Sequence, residues 1–208
     1  KIKFEIPRNG GFIWVDELEV ALNVGKSSVS IPESDNLALY KPYTTSGIYS
    51  ENGVDLYPDE NGDSLTDGVI ASNDASYSDF TYVGFNTQTT DYANNGFASI
   101  TVDLKKNYSV AKFVAHIASS FNAGAGIYPA SVSVYGSQNG TTWTNLGDAI
   151  AKDNPAVSSI SAVLTLESAV DVRYIQYRFT NERSWIFVCE VEAYEKATGG
   201  ETPEPTPD

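Results

Sequence analysis

The 208-residue chain holds one cysteine, one histidine and no methionine. A single cysteine cannot close an internal disulfide, so cysteine usage says nothing about redox compartment. With one histidine and one cysteine, neither a zinc cluster nor a Ser-His-Asp triad can be assembled convincingly, and no enzyme activity is expected. His116 lies in the apolar run from Val110 to Ile117, where a core residue is expected. Cys189 sits in an alternating strand and reads as a small buried hydrophobe sharing its face with Trp185, Phe187, Val191 and Ala193. No stretch reaches the roughly 18 apolar residues of a membrane helix, so membrane insertion is not expected. Basic residues are scarce too: 13 Lys and Arg stand against 27 Asp and Glu, a net charge of −14. Between positions 35 and 92 ten acids face one base, Lys41. Nucleic acid and anionic lipid both need basic patches, so neither is expected as a partner. A divalent cation, a neutral ligand or a solvated acidic loop is compatible with that charge. Carboxylate pairs abound, but their separation, which glycoside hydrolysis depends on, is not set by sequence spacing.

What the chain does hold is aromatic and β-patterned. Thirteen Tyr and nine Phe favour strands over helices. Ala98, Ile100, Val102 and Leu104 alternate on one face, as do Val132 with Val134, and Ile175 with Tyr177 and Phe179. The run from Val110 to Ile117 suits a strand buried on both sides. Asn139-Gly140 between two such runs predicts a hairpin with a two-residue turn. The stretch from Tyr40 to Asn95 carries few strand patterns and many turn residues, and a segment that long is usually functional when ordered. The expected fold class is an all-β sandwich with little helix.

A repeat organises the ends. The 22 residues from Tyr174 to Glu195 align without a gap onto Lys1 to Leu22, with Ile2/Ile175, Ile13/Ile186, Val15/Val188, Glu17/Glu190 and Glu19/Glu192 identical. A domain-sized period suggests tandem modules. The expected order is therefore residues 1–22 as the end of a preceding copy, 23–33 as connector, 34–196 as the complete domain, and 197–208 as a Pro/Thr/Glu-rich linker. The opening strand pair either frays or adds to the domain or to a neighbouring molecule. The chain starts in mid-pattern, so it is expected to be a piece of a larger modular protein.

Several short motifs, in order, resemble one family. Asn36-Leu37-Ala38-Leu39-Tyr40-Lys41-Pro42 resembles the opening of discoidin domains, the coagulation factor V/VIII C-type domains. Asp67-Gly68 resembles their Asp-Gly loop, and Ile100-Thr101-Val102-Asp103-Leu104 their "VDLG" strand. Pro129 to Ser137 followed by Asn139 to Trp143, then Arg173-Tyr174-Ile175 and Glu190 to Tyr194, resemble the closing motifs. The likeness covers roughly residues 34 to 195 and implies a jelly-roll sandwich of about eight strands. In bacteria such domains commonly serve as family 32 carbohydrate-binding modules of secreted glycoside hydrolases. It therefore implies an extracellular or cell-surface bacterial setting, with a polysaccharide or glycan and the adjacent modules as partners. An adhesion or spacer domain contacting protein is the alternative. Two departures stand out: Lys105 replaces the glycine after "VDL", and the arginine usual before Pro129 is missing.

Two candidate sites follow. The acidic run from Asp59 to Asp67 only partly mimics an EF-hand, since Ser64 and Ile70 stand at the positions that need Gly and Glu. By resemblance, a structural Ca²⁺ would instead take carboxylates from Asp67 and Glu190, with the Leu65 carbonyl and Ser72 as weaker ligands. For the sugar, stacking rings and hydroxyl partners are needed at the loop end of the sandwich. Tyr49, Tyr57, Tyr92, Phe121 and Tyr128 are the loop aromatics on offer, with Asn122, Asn181 and Arg183 as polar contacts. Trp143 is expected as a core or hairpin-packing residue. Trp185, aligned with Phe12, reads as packing first and ligand second.

Overall fold

The computed structural model describes residues 35–59 and 62–196. The repeat at 1–22, the connector at 23–33 and the linker at 197–208 lie outside the described residues. The elements are β1 (Tyr43–Ser46), β2 (Ser50–Glu51), β3 (Val54–Asp55), β4 (Val83–Asn86), α1 (Thr90–Asn95), β5 (Ala98–Ala118), a 3-10 turn (Ser120–Ala125), β6 (Ser131–Ser137), β7 (Thr144–Ala149), β8 (Ser159–Thr180) and β9 (Trp185–Glu195). The domain is the all-β sandwich that the alternation predicts.

Two long strands make the sandwich. The first part of β5 pairs with β1 and with the end of β8, which continues to β6 and β7. The second part of β5 pairs with β9 and with the beginning of β8, and β9 continues to β4. Both β5 and β8 thus pass from one layer to the other, a known way to make sandwich corners. The β5 corner falls where the register slips between Asp103 and Tyr108. Lys105 sits there with φ of 72°, the left-handed conformation that glycine adopts freely. The departure at this position leaves the corner in place and gives a lysine the backbone geometry of the missing glycine.

The predicted faces hold. Ile100, Val102, Leu104, Ile175, Tyr177, Phe179, Val132 and Val134 all fill the inter-sheet core. The hairpin at Asn139-Gly140 forms, but its loop runs from 138 to 143 rather than two residues. The Asn139 side chain closes it by accepting from the N–H groups of Thr141 and Thr142. The segment from Tyr40 to Asn95 is less loop-like than its composition suggests, since β1 to β4 and α1 lie in it. These strands run two to four residues, too short for a period to register.

One face assignment is corrected. Ile117 pairs with Val188 but His116 pairs with Glu190, so β9 carries one extra residue, a bulge. The parity of β9 flips across it. Phe187 and Cys189 belong to a second cluster with Tyr82, Ala118 and Ile127, while Val191 and Ala193 belong to the main core. Cys189 is still fully buried, and burial pushes its thiol up to about 11. His116 is buried as expected, bridging Glu192 at Nε2 and Ser161 at Nδ1, each at 3.1 Å.

Candidate functional site

Near the β9 bulge lies a fully buried carboxylate. Glu190 Oε2 accepts from the Gly68 N–H at 3.2 Å, while Oε1 has no hydrogen-bond partner. Burial, and then the nearby Asp67 and Glu192 charges, push its carboxyl up to about 8. Asp67 is itself raised, by burial and by Asp63 and Asp59, even though its Oδ1 accepts from the Val69 N–H at 2.7 Å. A buried acid with one orphaned oxygen is expensive unless something positive meets it. The Asp-Gly loop is held against β9 because the Leu65 carbonyl accepts from the Val191 N–H at 2.9 Å. Ser72 is exposed, its hydroxyl donating to Asp74. So Asp67, Gly68 and Glu190, two of which the resemblance implied as ligands, lie together, Leu65 lies beside them through the backbone, and Ser72 turns to Asp74. Among the described residues no group of three or more His, Cys, Asp or Glu side chains is poised for a metal. A cation here would depend on two carboxylates with carbonyl and water oxygens, which suits a hard ion.

The second site is the loop end of the sandwich that opens before β9. Asn181 organises it. Its Nδ2 donates to the carbonyls of Tyr128 at 3.1 Å and Trp185 at 3.3 Å, and its Oδ1 accepts from the Arg183 N–H at 2.7 Å. The loop before β6 and the loop between β8 and β9 are thereby tied together, and the Arg183 guanidinium lies 4.8 Å from the centroid of the Tyr128 ring. Thr87 pins the same loop by donating to the Arg183 and Ser184 carbonyls. Tyr128 and Arg183 are exposed. Behind them Trp185 is half-buried and meets Tyr49 edge-on at 5.6 Å and Tyr57 at 5.2 Å.

The remaining predicted residues fall in different places. Tyr57 is turned toward Phe187 and Tyr77 as well as Trp185, so its ring packs the second cluster. It does so from φ of 56°, an unusual backbone for a bulky residue. Tyr92 packs on the main core, and its hydroxyl accepts from the Asn181 N–H at 3.4 Å. Phe121 is 41% exposed on the 3-10 turn, and Asn122 Nδ2 is buried without a partner. Among the described residues no hydrogen bond or ring contact joins these two to the Asn181 group. Trp185 packs on the second cluster, joining Tyr49 to Tyr57 and Phe187, in keeping with packing as its first role. Its placement directly after a loop and before Ile186 was visible, but the loops that converge on it were not.

The comparisons settle the family. The family model described as F5/8 type C domain matches residues 52–191. The chain belongs to that family. Among solved structures this F5/8 type C domain is similar to a mutant of the lectin binding domain of lectinolysin complexed with Lewis b, at 17% identity and a TM-score of 0.50, over 79% of this chain and 99% of that one. It is similar also to CpGH89CBM32-6 produced by Clostridium perfringens, at 18% identity and a TM-score of 0.45, covering 77% and 99%. A third is chitosan-binding module 1 of a chitosanase/glucanase from Paenibacillus sp. IK-5, at 17% identity and a TM-score of 0.47, covering 76% and 98%. A search of curated proteins returns no match.

Proposed function

We propose that the domain is a non-catalytic carbohydrate-binding module that holds a secreted bacterial multi-domain protein, a glycoside hydrolase in the simplest case, near its glycan. The observation that carries this reading is the exposed Tyr128, whose ring lies beside the Arg183 guanidinium and whose backbone carbonyl is held by Asn181. An aromatic face beside a guanidinium offers a sugar both a surface for its C–H groups and donors for its hydroxyls. The family, and relatives described as chitosan-binding or complexed with Lewis b, support the same class of ligand. Weak single-site binding would gain from neighbouring copies through effective concentration.

The same reading includes a structural calcium ion held by Asp67 and Glu190, with the Leu65 carbonyl near and Ser72 at the margin. The orphaned Glu190 Oε1 fits it. Calcium would neutralise the buried acid pair and pin the Asp-Gly loop to β9. Chemistry at the sugar would not pass through it.

A glycan array run with calcium tests the proposal. Hits sharing one terminal sugar, weakened about tenfold or more by Tyr128→Ala, are expected. A blank array from a folded sample would overturn it in favour of an adhesion or spacer domain.

A further inference from the structure

Alternation turns Ile100, Tyr177 and Val134 into the core, so their strand neighbours face the opposite way. On that outer face two rungs of the ladder cross β1, β5, β8 and β6. One is Ser46, Ser99, Arg178 and Ser133; the other is Thr44, Thr101, Gln176 and Tyr135. At ~4.8 Å between strands this strip is about 14 Å wide. Asn95, Phe97 and Trp143 border it, and the open groove measures about 320 Å³. Trp143 is therefore no member of the main core; it is half-buried at the groove.

The strip is organised in advance. The Arg178 guanidinium lies 3.6 Å from the Tyr135 ring centroid and 4.3 Å from that of Phe97. Its Nε donates to Gln176 Oε1 at 2.6 Å, and Gln176 Nε2 donates onward to Thr101 Oγ1 at 2.9 Å. The terminal guanidinium nitrogens have no hydrogen-bond partner among the described residues. A fixed fork of donors suits a pair of adjacent hydroxyls. Ser99 is buried, and Ser46 and Ser133 donate to Asp91 and Asp148 at the margins of the strip, so an apolar partner would strip water from those carboxylates and from the guanidinium and give nothing back. A polyanion would meet one guanidinium on a chain of net charge −14. A neutral, hydroxyl-rich chain with flat C–H faces satisfies the fork, the marginal carboxylates and Trp143 together.

We infer that this sheet face is a second carbohydrate site, separate from the loop-end site, and that it takes an internal segment of a neutral polysaccharide. It stands independently of the reading given for Tyr128 and Arg183. Affinity electrophoresis of the whole chain through gels containing glucomannan, galactomannan, arabinoxylan or dextran tests it. At least one polymer should retard the chain, and Trp143→Ala and Arg178→Gln should each cut that retardation about tenfold. Circular dichroism of both variants checks folding, and Arg178→Gln, on a part-exposed side chain, guards against a collapse caused by removing the indole. Retardation through Trp143 and Arg178 with a blank glycan array would uphold the sheet-face site while removing the loop-end one. Retardation that survives both substitutions but falls with Arg183→Ala would overturn the sheet-face site and leave the other. No retardation by any of the four polymers would overturn it as well.

Discussion

Lys105 tests how much one backbone angle matters. Its φ of 72° costs a side-chain-bearing residue roughly 1 kcal/mol relative to glycine. Its ammonium lies 3.4 Å from Asp103, but an exposed pair of that kind returns little. Lys105→Gly is therefore expected to raise the melting temperature by about 2–4 °C in a thermal scan. Gly84 answers to a different constraint. A Cβ there would lie 2.8 Å from Tyr57 Cβ and 3.1 Å from Phe187. Gly84→Ala should cost about 1–3 kcal/mol in urea denaturation, because neither ring has room to retreat. Glu190→Gln removes the carboxylate that a cation would need yet keeps the shape. If calcium sits between Asp67 and Glu190, the parent should gain melting temperature on adding calcium and the variant should not. An unchanged calcium response in scanning calorimetry would place the ion elsewhere.

At the scale of elements, the corner that turns β5 from one layer to the other is fastened to β8 by a bidentate pair. Arg173 Nε and a terminal nitrogen donate to the two Asp103 oxygens at 2.9 and 3.0 Å. Those bonds hold the Asp103 carboxyl well below the usual carboxylate range. The folded state consequently binds fewer protons than the unfolded chain as the solution is acidified. The stabilisation from this pair is complete above the unfolded pKa of about 4 and drains away as pH falls below it. Asp103→Asn should flatten part of the acid limb of a stability-versus-pH curve while changing little at pH 7 beyond the loss of the pair itself. The β9 bulge is the other decisive element. It sets Phe187 and Cys189 into the second cluster and brings Glu190 opposite His116. A strand read by strict alternation misses this, because one inserted residue leaves no mark on composition.

For the whole molecule, the acidic balance of −14 sets which partners can approach. At physiological salt the chain should pass through a heparin column without delay, since attraction to a polyanion needs clustered bases. Retention would contradict the sheet-face reading, which rests on a neutral ligand. The two proposed sugar surfaces occupy different parts of the sandwich, one on converging loops and one on a sheet face. A module with both could grip a chain end and a chain interior, which tandem copies would strengthen.

Alternating apolar residues such as Ile100, Val102, Ile175 and Tyr177 determined the sandwich, because burial on one face imposes a period of two that any reader of the chain can find. The ordered motifs determined the family for the same reason: they are contiguous. Asp67 and Glu190 could be paired in advance only through resemblance, and the orphaned oxygen between them needed three dimensions. Tertiary structure alone decided that Asn181 ties Tyr128 to Arg183, that Trp185 meets Tyr49 and Tyr57, and that Trp143 borders a polar groove. Those groupings join residues far apart in the chain, and only strand pairing and loop closure, not spacing, bring such groups within reach of a single ligand.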